Sequence, residues 1–426
     1  MKTHIKNGRV IDPKNGIDAV QDLYIGGGKI LGLGTAPNGF SANRVIDATD
    51  LVVSPGLVDL SARLREPGFE YKATLQSEMR AAVAGGVTSL ACPPDTDPPL
   101  DEPGLVEMLK HRARNLNLVH VYPIGALTAK LEGERITEMA ELRDAGCVAF
   151  SQADRHIVDT EVLWRAMQYA TTFGFSVWLR PQDPFLSKTG VAHDGEVATR
   201  LGLPGIPSFA ETIALSAVLQ LVRATGTRVH FCRLSTAAAV AMIKAAKAEG
   251  LPISCDVSVH HLHLSEMDLG FFDPHCNLIP PVRSLRDRDA LRQGVREGVI
   301  DAICSDHAPV DEDVKQVPFA EAEAGATALE LLLPLTLKWS QELKMPLLQA
   351  LAHVTSEPAK VLGIDAGHLS VGAEADICVF DPQAWVKLSP ESLKSQGKNT
   401  PFIGYELPGA VRYTFVSGHL CHEAKS

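Results

Sequence analysis

A (β/α)8 barrel carrying a small β-sandwich domain built from both chain termini is the fold class that the sequence predicts. Three observations point to it. Short apolar runs alternate with helix-patterned segments through the middle of the chain, and turn-rich β-like runs occupy both ends. The first strand of the alternation is not followed by the Gly-x-Gly-x-x-Gly fingerprint of a doubly wound sheet, the alternative arrangement.

The elements follow in order. Ile5–Ile11, Val20–Ile25, Lys29–Leu33 and Arg44–Asp47 read as short strands, separated by Gly26-Gly27-Gly28 and Pro37-Asn38-Gly39. Eight candidate barrel strands come next: Leu57–Ala62, Val87–Cys92, Leu118–Ile124, Cys147–Phe150, Ser176–Leu179, Arg228–Cys232, Ile253–Val257 and Ala302–Cys304. Helical periodicity follows several of them, at Lys72–Ala84, Thr160–Thr172, Ser208–Ala224 and Thr236–Ala248. Ser235 or Thr236 and Ser284 are the expected N-caps of an alanine-rich helix and of Leu285–Arg296. Strand character returns at Ala375–Phe380 and Ala410–Val416. The expected organisation is a barrel over residues 54–365, with 1–53 and 366–426 joined into one β-domain, because barrel termini lie close together.

Composition narrows the function classes. The chain has 426 residues, 45% hydrophobic and 21% charged, which fits a folded globular protein. A net charge of −11 argues against nucleic acid or an anionic membrane as the main partner. The richest apolar run, Ala328–Leu337, is broken by Glu330 and Pro334, well short of the ~18 residues of a membrane span. Met1–Gly16 has no apolar signal core, and the eight cysteines lack a Cys-x-x-Cys pair. A cytoplasmic protein with reduced thiols is therefore expected.

In a barrel, chemistry gathers where strands end. There the chain places Arg63 and Arg65, Asp95, Gln152, Arg180, Arg233, His260, His261, His263 and Asp306. The stretch Ser54-Pro55-Gly56-Leu57-Val58-Asp59, running into Leu64-Arg65-Glu66-Pro67-Gly68-Phe69-Glu70-Tyr71-Lys72, resembles the first strand and loop of dihydroorotases, in the amidohydrolase superfamily. Ala81–Thr88 with Cys92–Thr96, Asp301–Pro309 and Asn399-Thr400-Pro401-Phe402-x-Gly404 extend the resemblance over essentially the whole chain.

The resemblance implies a zinc site that this chain does not carry. Asp-x-His-x-His is expected on the first strand, but the residues are Asp59-Leu60-Ser61-Ala62-Arg63. Ser61 is a poor zinc ligand and the Arg63 guanidinium is none. Gln152 stands where the fourth strand should offer a carboxylate, and Arg180 and Arg233 stand where the fifth and sixth should offer histidines. Asp306 alone matches, in the role of ligand and general base. Of the substrate-gripping residues Arg65 matches, whereas the family asparagine is Asp95 and a later histidine is Val310. Asp306 is expected to pair with one or more of Arg63, Arg180 and Arg233, since a buried aspartate alone is costly.

The expected function is that of inactive dihydroorotase-like chains: a non-catalytic subunit, without metal or other cofactor, that assembles with the aspartate carbamoyltransferase catalytic chain in pyrimidine biosynthesis. Such a chain is expected to be a homo-oligomer inside a hetero-oligomer. The alternative is an active zinc-dependent cyclic amidohydrolase whose centre is rearranged onto His260, His261, His263 and Asp306. A nucleophilic site at Ser61 or Cys232 lacks an adjacent base. His230 and His307 read as structural polar residues, and Asp101-Glu102 and Asp311-Glu312-Asp313 as solvated loops.

Overall fold

The computed structural model describes residues 2–424. Its centre is a parallel barrel whose strands are Leu57–Asp59, Val87–Cys92, His120–Ala126, Ala149–Ser151, Ser176–Leu179, Arg228–Phe231, Ile253–Ser258 and Ala302–Cys304, bonded in chain order. The ring is nearly closed. Strands eight and one meet beyond their ends through a single bridge, Ala62 to His307, where Arg63 N donates to His307 O at 2.9 Å and His307 N to Ser61 O at 3.1 Å.

Local chemistry explains the helices around it. Thr74 caps Leu75–Ala84 by accepting from Ser77 N, and Thr236 and Ser284 cap Ala237–Ala248 and Leu285–Arg296 in the same way. The helix expected over Lys72–Ala84 thus starts three residues late, at the first residue after its cap. Alternate residues of the strands face opposite ways. Phe150, Val177, Val229 and Phe231 join the large core shared with the helices, while Val58, Ala91, Ile124, Trp178 and Cys304 form a second cluster with Ala359 and Leu362. The Ser356–Leu362 helix in that cluster covers the end of the barrel opposite the mouth.

Eight strands from the termini form one hydrogen-bonded sheet: Lys2–Asp12, Ile17–Gly26, Lys29–Leu33, Arg44–Asp47, Val52–Pro55, Ile377–Lys387, Glu406–Val416 and His419–Glu423. Register shifts between Ile5 and Gly8 and between Val379 and Phe380 bend it. Its own core contains Ile5, Val10, Leu23, Ile25, Val53, Ile377, Val379 and Phe415. Val52–Pro55 stitches the two termini together, parallel to Lys2–Asp12 and antiparallel to Ile377–Lys387. Ser54 and Pro55 therefore belong to the terminal sheet, and the first barrel strand begins at Leu57. The pivot is Gly56, where a Cβ would lie 2.2 Å from Thr88 Cγ2.

All eight cysteines are free. No helix among the described residues is long and apolar enough to cross a membrane.

Candidate functional site

The barrel mouth is built by residues that follow six of the strands, and four of them have left-handed backbones: Arg65 (φ 61°), Ala153 (φ 50°), Arg233 (φ 55°) and Asp306 (φ 49°). Such φ values cost non-glycine residues energy and cluster where a fold must aim side chains. Here those at Ala153, Arg233 and Asp306 help to bring three arginines and three aspartates together.

The ion pairs form one connected cluster. Arg63 Nε reaches Asp95 Oδ2 at 2.7 Å, its Nη2 reaches Asp154 Oδ2 at 2.5 Å, and its Nη1 reaches Asp306 Oδ1 at 3.3 Å. Arg233 bridges two of these acids, with Nη2 2.6 Å from Asp154 Oδ1 and Nη1 2.9 Å from Asp306 Oδ1. Arg180 Nε donates to Asp154 Oδ1 at 2.7 Å and its Nη2 to the Asp154 carbonyl at 3.2 Å. Arg180 also bonds Gln182. Three guanidinium cations thus meet three carboxylates, and the formal charges cancel. The arginines are buried, and Asp154 keeps a partly open edge.

Burial and charge act oppositely on the acids. Burial pushes the Asp154 carboxyl up, but Arg233, Arg63 and Arg180 together outweigh it and hold the group well below the usual carboxylate range. At Asp306 burial wins: Arg233 and Arg63 pull down, Asp154 pushes up, and the group stays above its ordinary value.

The other expected site residues find local roles. The Gln152 amide bonds the Thr128 hydroxyl at 2.8 Å. Ser61 lines a cavity of about 20 Å³ beneath the arginines, together with Trp178, Cys232 and Arg233. That volume suits about one water molecule. Asp95 is engaged by Arg63. Arg65 donates through Nε to the Pro309 carbonyl at 2.8 Å, and among the described residues no carboxylate pairs with it. Burial and the neighbouring Arg63 lower its pKa.

His260, His261 and His263 do not converge on Asp306. His260 stacks on Phe402, with ring centroids 5.8 Å apart, His261 Nε2 bonds the Pro280 carbonyl at 3.1 Å, and His263 Nε2 bonds the Leu335 carbonyl at 2.8 Å. Burial drives their pKa values down to about 3, 4 and 4. His230 sits between Ser254 and Asp256, bonded at 2.8 and 2.9 Å, so neither ring nitrogen is left to serve Cys232. Burial and Asp256 raise the Cys232 thiol well above its ordinary value. His307 ties Glu78 Oε2 at 2.6 Å and accepts from Ala328 N at 3.1 Å, behind the bridge that closes the barrel. Asp311, Glu312 and Asp313 are exposed.

Asp154 is the residue that sequence reasoning missed. It stands two positions beyond the expected carboxylate, and the left-handed Ala153 swings it in. The charge count was the available signal: three buried arginines cannot be neutralised by Asp306 alone.

The donor set does not fit zinc. Guanidinium nitrogens donate and do not ligate, and the Asp306 oxygen nearest them already accepts from two arginines. Among the described residues, the groups whose ligand atoms approach closely enough for a metal are His230, Cys232 and Asp256, and His120, Glu374 and Asp376. In the first group Cys232 borders the small cavity beneath Arg63 and Arg233, but both His230 ring nitrogens are already bonded to Ser254 and Asp256; the second group includes none of the mouth arginines.

Comparison with known proteins agrees with this architecture. Residues 50–239 match the dihydro-orotase-like family and residues 189–422 the amidohydrolase family. A dihydroorotase-like protein of Pseudomonas putida is 48% identical over 99% of both chains, and a dihydroorotase of a Geobacter species (strain M21) is 40% identical over the whole of both. Among solved structures, the L-hydantoinase of Arthrobacter aurescens superposes with a TM-score of 0.88 at 25% identity, covering 98% of this chain and 95% of that one. With the matched families, the full-length relatives and the shared barrel in agreement, the chain belongs to the dihydroorotase-like amidohydrolases.

Proposed function

We propose that this chain is a non-catalytic dihydroorotase-like subunit that assembles with the aspartate carbamoyltransferase catalytic chain and supports it in pyrimidine biosynthesis. The observation that carries the non-catalytic half is the mouth itself. Three guanidinium groups occupy the positions where the resemblance expects metal ligands, three carboxylates neutralise them, and the cavity beneath Arg63 and Arg233 holds about one water. The one carboxylate retained from the expected catalytic set, Asp306, is occupied by arginine and has no free histidine beside it. The scaffold meanwhile is intact: barrel closure, caps and terminal sheet are all in place. Its relatives in Pseudomonas putida and Pseudomonas aeruginosa, at 48% and 47% identity, carry the name dihydroorotase-like protein, whereas the Geobacter relative is named a dihydroorotase. That difference in name supports the same reading.

Two measurements test the two halves. Purified protein loaded with zinc should show no dihydroorotate hydrolysis above background; turnover with stoichiometric zinc at the mouth would reject the non-catalytic claim. Expressed with its cognate carbamoyltransferase, the chain should co-elute with it at a size larger than either alone. Separate elution would reject the subunit role.

A further inference from the structure

At the end of the barrel away from the mouth, we propose that His120, Glu374 and Asp376 form a binding site for one divalent cation of the zinc type. His120 opens the third barrel strand; Glu374 and Asp376 lie on the segment that enters strand Ile377–Lys387 of the terminal sheet. The site therefore clips the two parts of the molecule together.

Distances support a shared ion. His120 Nε2 lies 3.1 Å from Asp376 Oδ2 and 3.4 Å from Glu374 Oε2. Ligand atoms held ~2.1 Å from a tetrahedral ion are separated by about 3.4 Å, close to both distances from the imidazole, and the three ligand atoms lie within 4.8 Å of one another. A nitrogen and two carboxylate oxygens are donors that zinc accepts. The fourth direction is open, because the Glu374 side chain is 58% exposed and that of His120 29%. Ser417 Oγ, 3.5 Å from His120 Nε2 and 3.1 Å from Glu374 Oε2, sits where it can bond a water on the ion.

Charge points the same way. Two carboxylates facing one another through a single imidazole repel; a protonated His120 cancels one of the two charges, whereas a divalent cation beside a neutral His120 cancels both. Asp376 is held from behind: Ser417 N donates to its Oδ1 at 2.7 Å, while both carboxylate oxygens face the imidazole, Oδ1 at 3.3 Å and Oδ2 at 3.1 Å. Outer contacts of this sort orient metal-binding carboxylates.

The test uses the full chain stripped by chelator and titrated with Zn²⁺ by calorimetry, with Co²⁺ absorption as a second readout. Wild type should take up one equivalent with micromolar or tighter affinity and melt at a higher temperature when loaded. His120→Gln and Glu374→Gln should each weaken binding about tenfold or more and lose the thermal gain. Glu374 is exposed enough that its variant keeps the fold. Wild type without saturable binding, or both variants binding as tightly as wild type, overturns the site. Since the mouth plays no part, failure here leaves the proposed function untouched, and the reverse also holds.

Discussion

Asp154→Asn tests the idea that an ion cluster now organises the barrel mouth. The carboxylate accepts from three guanidinium groups at 2.5–2.7 Å, and the amide that replaces it has no charge and half the acceptor capacity. Three buried cations would then face only Asp95 and Asp306. Removing one partner of a buried pair costs roughly 3–5 kcal/mol, and the 29% exposure of the Asp154 side chain lets water recover part of that, so a loss of about 3 kcal/mol is expected. With an unfolding entropy of roughly 2.1 cal/mol/K per residue, 426 residues convert it to a fall of about 3 °C in melting temperature. Differential scanning calorimetry at neutral pH reads this directly, and exposed Asp311→Asn, expected within about 0.5 kcal/mol of wild type, controls for charge alone. Asp306→Asn should cost less than Asp154→Asn, because burial already disfavours the ionised Asp306 whereas the arginines favour ionised Asp154. An Asp154→Asn protein that melts with wild type, or the reverse order of the two variants, refutes the reasoning.

Other outcomes follow from the same geometry. Restoring histidines on the first strand by Ser61→His with Arg63→His should not yield dihydroorotate hydrolysis in zinc-loaded protein, since Arg180 and Arg233 still stand on the fifth and sixth strands; turnover would show the mouth to be repairable from one strand. Burial raises Asp59 to about 7 despite hydrogen bonds from Ser305 and Ser61. A folded pKa above the unfolded one gives stability that is full below about pH 4 and lost as pH rises through about 7. The difference in melting temperature between wild type and Asp59→Asn should therefore shift against wild type across that window, and a constant difference would contradict the assignment. His307→Ala removes one partner of Glu78, which keeps Ser395 Oγ and Gln396 N, and leaves the Ala328 N–H without its acceptor behind the closing bridge, so a loss of about 1–3 kcal/mol in denaturant unfolding is expected; a loss under about 0.5 kcal/mol would place closure elsewhere.

Much of the fold was legible because it rests on local signals. The apolar runs Val87–Cys92, Ser176–Leu179 and Ala302–Cys304 coincide with the strands to the residue, and Thr236 and Ser284 cap the helices expected of them. The first barrel strand was placed from Leu57, where it begins, but the strand Val52–Pro55 before Gly56 was not legible, because a strand buried on both faces looks the same whichever sheet it joins. At the mouth, the pairing of Asp306 followed from charge and burial, and the structure holds it against both Arg63 and Arg233. Asp154 could not be reached by matching positions. Its role depends on one left-handed residue, Ala153, which no residue type announces: alanine carries no preference for that conformation.

That detail bears on how such a mouth can change chemistry and keep its shape. Left-handed residues at Arg65, Ala153, Arg233 and Asp306 each cost about 1–2 kcal/mol, and a mouth without compensating contacts would relax. A bound metal is one way to hold strand ends in place; a closed set of charge-assisted hydrogen bonds is another, since each guanidinium offers several donors in a fixed plane. Arginine suits the second task better than lysine because it can bridge two carboxylates at once, as Arg233 does with Asp154 and Asp306. On this view Arg63→Lys should fail where charge alone predicts success: one ammonium cannot span Asp95, Asp154 and Asp306 together, so the variant should lose about 2–3 kcal/mol although its charge is unchanged. Calorimetry beside Asp154→Asn supplies the comparison. A lysine variant as stable as wild type would mean that charge balance, not the planar fork, holds the mouth.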